Sequence, residues 1–228
     1  DILTRFGMNA MLVLAMVPSI QSGIGINFNL PLGVICGLIG AIVSIELGFS
    51  AWTGFAIALG IAIPLAAIAG YFYGIMLNRI KGQEMTVGNY MGYSIVSFMC
   101  IFWALAPFKN EELIWAMGGR GLRVTLSMES SIGGLLDNAF RMETYPKAFP
   151  KFLISFLEIV PLGLLLTFAI LTFMVWVFSR TRKGTSMLVA GSSEAFAASN
   201  GIDVNKQRVL GIVLSTVIMS GWKLKYLD

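Results

Sequence analysis

Six apolar runs, at residues 8–26, 30–47, 51–77, 85–106, 152–178 and 209–222, leave this chain few ways to fold. Five of them approach or exceed the roughly 20 residues that a helix needs to cross the hydrocarbon of a bilayer. Backbone groups in lipid must be satisfied within the protein, so only helices and closed barrels span a membrane. A barrel would show short strands of alternating polarity, which are absent here. The fold class is therefore all-α, a polytopic membrane helix bundle. Composition points the same way, because 57% of the residues are hydrophobic and only 12% are charged, too few to cover a soluble surface.

The sixth run is about 14 residues, short of a span. The first begins almost at Asp1, with neither a cationic segment nor a small-residue cleavage site ahead of it, which argues against a signal peptide. These two ends suggest a piece of a larger bundle, expected to hold roughly eight to ten helices, each long enough to span. Such a piece is not expected to complete a transport path by itself.

Charge sets the orientation. The net charge of +4 resides largely in the connections, so it reports topology and not a nucleic-acid partner. Residues 78–84 carry Arg79 and Lys81, and residues 179–208 carry Arg180, Arg182, Lys183, Lys206 and Arg208 against Glu194 and Asp203. Both connections are expected in the cytoplasm. Two spans between them place the 107–151 connection outside, and its near-neutral charge suits a translocated loop.

Residues 23–33, Gly-Ile-Gly-Ile-Asn-Phe-Asn-Leu-Pro-Leu-Gly, separate the first two runs. They form either a polar turn at the membrane surface or a broken helix lining a solute path, since irregular backbone at depth is tolerated only against protein or water. In the second case Gln21, Asn27 and Asn29 supply uncharged hydrogen-bonding groups to a solute. Gly33/Gly37, Gly70/Gly74 and Gly88/Gly92 mark close helix approaches. Glu158 and Glu46 are carboxylates near run boundaries, where an interfacial position is the simpler reading. With no histidine in the chain and Cys36 and Cys100 inside apolar runs, neither metal ligation nor a catalytic cluster is indicated.

The polar segment from 179 to 208 carries one further signal. Ser192 or Ser193 can cap a helix, Glu194 suits its positive end, and Asn200-Gly201 offers the left-handed stop. A helix of two turns is not stable alone in water, so this one requires a docking surface.

Ser179-Arg-Thr-Arg-Lys-Gly184, followed by Val189-Ala-Gly-Ser-Ser-Glu-Ala-Phe-Ala-Ala-Ser-Asn-Gly-Ile-Asp-Val-Asn-Lys206, resembles the permease subunits of bacterial ABC importers of the ribose, galactose and xylose branch and their nucleoside-type relatives. Gly23-Ile-Gly-Ile-Asn-Phe-Asn and Gly74-Ile-Met-Leu-Asn-Arg-Ile-Lys are similar to two earlier stretches of that family, in family order. Asn27 and Asn29 stand where the family usually has Asp and Ser. The resemblance implies a single transmembrane permease domain over 1–228, multi-pass in the bacterial inner membrane, with an extracytoplasmic loop at 107–151 and a cytoplasmic coupling loop at 179–208. It implies a path for a simple sugar or nucleoside-like solute, a second permease subunit, identical or not, and an extracytoplasmic solute-binding protein. ATP and Mg would be held by separate ATPase subunits; this chain, lacking a Gly-x-x-x-x-Gly-Lys-Ser/Thr loop, would bind no cofactor and catalyse nothing. Glu194, Ala195, Phe196, Ala198, Gly201, Ile202 and Asp203 would form the coupling helix seated on the ATPase. The alternative is a secondary transporter or channel working without ATP, for which Glu158 is the best ion-coupling group.

Overall fold

The computed structural model describes residues 2–27, 30–48, 51–105 and 162–223. Among them the regular elements are helices: α1 (Ile2–Gln21), α2 (Leu30–Glu46), α3 (Ala51–Arg79), α4 (Glu84–Leu105), α5 (Leu162–Ser179), α6 (Arg182–Ser192), α7 (Glu194–Ser199) and α8 (Val204–Lys223). The all-α membrane bundle is what the structure shows. The 107–151 connection, Glu158 and Asn29 lie outside the described residues.

Helix ends follow local chemistry. Gly48 closes α2 at φ +76°, a conformation that side chains resist, and its N–H donates to Ile45 O at 2.9 Å. The Glu84 carboxylate accepts from Gly82 N–H at 2.8 Å, tying the start of α4 to the turn before it. Pro31 falls in the first turn of α2, where no intrahelical N–H is needed. Glu46 ends α2 and is exposed, in keeping with an interfacial position.

Among the described residues two helices are long and apolar enough to cross a membrane by themselves, within α3 (Thr53–Arg79) and α4 (Glu84–Phe102); a third candidate is the pair α5 and α6, bent by 77° between Ser179 and Arg182. The centre of the bundle is none of these. It is α8, against which α1, α2 and α3 all pack. The apolar run at 209–222 understated this helix. It extends back to Val204 through Asn205, Lys206, Gln207 and Arg208, giving 20 residues and about 30 Å at 1.5 Å per residue. A helix facing protein can carry polar groups that a lipid-facing helix cannot, and Arg208, Ser215, Thr216 and Ser220 of α8 are all buried.

Small residues permit this packing. A Cβ on Gly33 would stand 2.7 Å from Thr216 O, and one on Gly74 would stand 3.1 Å from Val209 Cα, so α2 and α3 meet α8 backbone to backbone. Gly40 does the same for α2 against α3, at 2.7 Å from Ala58 O. Around these contacts, Met11, Leu14, Ala15, Leu30 and Met219 form one apolar cluster, and Ile24, Tyr73, Leu77 and Ile212 another.

Candidate coupling site

The interruption between α1 and α2 is shorter than 23–33, because Pro31 and Gly33 are already helical. It also runs along α8, with Ser22, Ile24 and Asn27 buried and Gly23 and Ile26 exposed. Measured along α8, Ser22 lies against Gly211, Ile24 packs with Ile212, Asn27 donates to Ser215 Oγ at 3.3 Å, and Leu30 packs with Met219. Residues 22–27 thus run about 6 Å, the length of four helical residues, along the central helix. Its backbone is satisfied locally: Ser22 N–H donates to Pro18 O at 3.1 Å, Gly23 N–H to Ile20 O at 3.1 Å, and Ser19 Oγ to Gly25 O at 3.0 Å. Glycine is required at 23 and 25, where φ is +79° and +92°.

Of the three residues assigned to a solute path, Asn27 is buried and engaged with Ser215. Gln21 accepts from Ser179 Oγ at 3.4 Å and lines an open cavity of about 430 Å³ between α1, α3, α5 and α8. The cavity is otherwise apolar, walled by groups such as Phe55, Ile63, Met174 and Leu214, with Thr167 its other polar side chain.

The short helix predicted around Glu194 is present as α7. Ser193 caps it, accepting from Phe196 N–H at 3.3 Å, and Gly201 at φ +75° ends it. Gly201 N–H donates to Ala198 O at 3.0 Å and Ile202 N–H to Ala197 O at 2.9 Å, the paired bonds of a Schellman ending. Ala197 is fully buried, whereas Ala195, Phe196, Ala198 and Gly201 face outward and Ile202 is half-buried. Phe196 is 60% exposed and Leu188 of α6 is 55% exposed, two large apolar groups on a polar surface.

Glu194 and Asp203 are both engaged in ion pairs within the chain. Asp203 caps α8, accepting from Lys206 N–H at 3.2 Å and pairing with the Lys206 ammonium at 3.1 Å, and these bonds hold its pKa below the ordinary value. Glu194 pairs with Arg208 at 3.2 Å and with Lys81 at 3.3 Å. Arg208 also pairs with Glu84 at the start of α4, and Asn78 Nδ2 donates to Asn205 O at 3.0 Å. The two basic connections, expected on one side from charge alone, therefore meet at one end of the bundle.

Sequence reasoning missed Arg208, Glu84, Lys81, Ser215 and Gly191 as parts of this site. Gly191, at the end of α6, touches the break directly: a Cβ there would stand 2.8 Å from Gly23 N, and one on Gly23 would stand 2.8 Å from Gly191 Cα. The α6–α7 segment thus presses backbone to backbone on the point where α1 uncoils. Among the described residues, no three His, Cys, Asp or Glu side chains gather as metal ligands.

Residues 1–219 match the family model described as branched-chain amino acid transport system, permease component. Searches of curated proteins and of solved structures return no match. With the match spanning nearly all of its length, the chain belongs to this family of ABC-type permease components, integral membrane subunits of transport systems.

Proposed function

We propose that the chain is the transmembrane subunit of an ATP-driven importer in a bacterial inner membrane, and that α7 seats on a separate ATPase. The observation that carries this reading is the contact of Gly191 with Gln21 and Gly23. A push on α6 and α7 reaches the uncoiled stretch with no side chain between to absorb it, and that stretch is held to α8 by Asn27 and Ser215. Ala195, Phe196, Ala198 and Gly201, with Leu188 beside them, offer the outer face to the partner. ATP and Mg belong to that partner, a second permease completes the path, and an extracytoplasmic binding protein delivers solute. The permease itself catalyses no reaction.

For the solute, the 179–206 pattern supports a simple sugar or nucleoside-like compound. A second reading, an aliphatic amino acid, is favoured by the cavity beside Gln21, whose nearly unbroken apolar wall suits a branched hydrocarbon better than a ring of hydroxyls. Proteoliposomes holding the permease with its copurifying ATPase and binding protein, assayed with labelled ribose and labelled leucine, separate the two. Gly191→Leu is expected to leave ATP hydrolysis in place and cut uptake about tenfold or more, the size of effect set by a lost coupling free energy of one to two kcal/mol. Normal uptake by that variant would remove the basis of the proposal.

A further inference from the structure

Arg208 stands in the second turn of α8, yet only 2% of it is exposed. One end of its guanidinium holds Glu84 of α4 and the other holds Glu194 of α7, and Lys81 of the α3–α4 connection takes the second oxygen of Glu194. The two carboxylates are 110 positions apart in sequence, on elements that otherwise share few contacts. Apart from its chain connections and buried Ala197, α7 is fastened to the bundle through Glu194. Its chain connection to α8 runs through Gly201, a residue suited to pivoting.

A buried guanidinium is costly unless its partners are fixed, so the pairings constrain all three helices together. Lysine could hold one carboxylate as a point charge, whereas the planar fork of arginine reaches both at once. Of its other N–H groups, the one at Nε is buried with no hydrogen-bond partner among the described residues, so the side chain is posed for the two carboxylates at the expense of its own full satisfaction.

We propose that Arg208 is a positioning residue for energy transfer: it latches α7 to the α3–α4 hairpin, so that displacement of α7 is delivered to α3 and α4 as well as to α8. This inference rests on the reading that α7 docks on the ATPase. The permease and the ATPase that copurifies with it, in nanodiscs, provide the test. Spin labels at Ser199→Cys and Gln83→Cys, in a Cys100→Ser background, report the separation of α7 from the hairpin, and Ala195→Cys reports docking by cross-linking to the ATPase.

The separation is expected to stay constant, within about 2 Å, between the nucleotide-free and ATP-bound states, and to change with nucleotide by about 5 Å in Arg208→Lys, the scale of a one-turn shift of one element past another. Arg208→Lys retains the charge, so it should still assemble and hydrolyse ATP while uptake per ATP falls about tenfold. A separation that changes with nucleotide in the unsubstituted protein, or an Arg208→Lys variant that transports at the original ratio, overturns the latch. Absence of the Ala195→Cys cross-link removes the docking reading itself, and the latch falls with it, on a different readout.

Discussion

Helices α5 and α8 are nearly equal in length, 18 and 20 residues, and are opposite in character. Every residue of α5 is apolar or small and uncharged, and it exposes Phe173, Met174 and Trp176 by more than half. In contrast α8 opens on Asn205, Lys206, Gln207 and Arg208 and buries Arg208, Ile212, Ser215, Thr216 and Ser220. Among the described helices the more polar α8 is therefore more enclosed by protein than the apolar α5. Water drives no segregation between helices in a bilayer, so packing, hydrogen bonds and small residues decide which helix is central.

The comparison breaks if changes on the two helices have similar costs. Arg208→Met should be the most damaging, because it leaves Glu84 confined without its cation; breaking such a pair costs about 3–5 kcal/mol. Loss of the monodisperse peak after heating in detergent would register it. Gly37→Leu comes next, since a Cβ at that position already meets the backbone of Ser220, and overpacking of this kind costs about 1–3 kcal/mol. The same thermal assay applies. Ser215→Ala removes the partner of Asn27 at a cost of about 0.6 kcal/mol, typical of a hydrogen bond between membrane helices, and should shift the midpoint only slightly. On α5, Phe173→Leu keeps an apolar surface toward lipid and should leave the midpoint unchanged within about 0.5 kcal/mol, as for substitutions away from packed sites. A large effect there would show that α5 is as enclosed as α8.

The smallest effect concerns the start of α8. Asp203 has a lowered pKa, so its contribution is present above the unfolded carboxylate value and is lost as pH falls through the folded one. The protection of the Lys206 and Gln207 amides against hydrogen exchange, relative to an unstructured peptide at the same pH, should fall as Asp203 becomes protonated, while Asp203→Asn should keep the cap and lose the pH dependence. Equal pH dependence in that variant would assign the effect to another group.

Local rules carried much of the fold. The caps at Ser193 and Gly201 depend on neighbours within a few residues, and both were legible before any tertiary contact was known. The shared side of the two basic connections followed from charge and an even number of spans. Arg208 was read only as one more topological cation, because nothing near it in sequence marks a residue that will be buried between Glu84 and Glu194. A buried polar network is a property of assembled helices. The same holds for α8, whose polar first turn fell outside the apolar run, and for residues 23–33, which read either as a polar turn at the membrane surface or as a broken helix lining a solute path. Gln21 was singled out for its hydrogen-bonding side chain, and the structure sets it between Ser179 and the apolar cavity.

The meeting of Gly23 with Gly191 has a consequence for how this protein can diverge. A junction of two bare backbones offers no side chain through which substitution could retune it, so under the proposed docking the displacement it passes inward is set by the fold. The outer surface at Phe196 and Leu188 has no such restriction. Under the proposed docking, a permease of this design could exchange one motor for another by altering its grip, and the movement passed inward would stay the same.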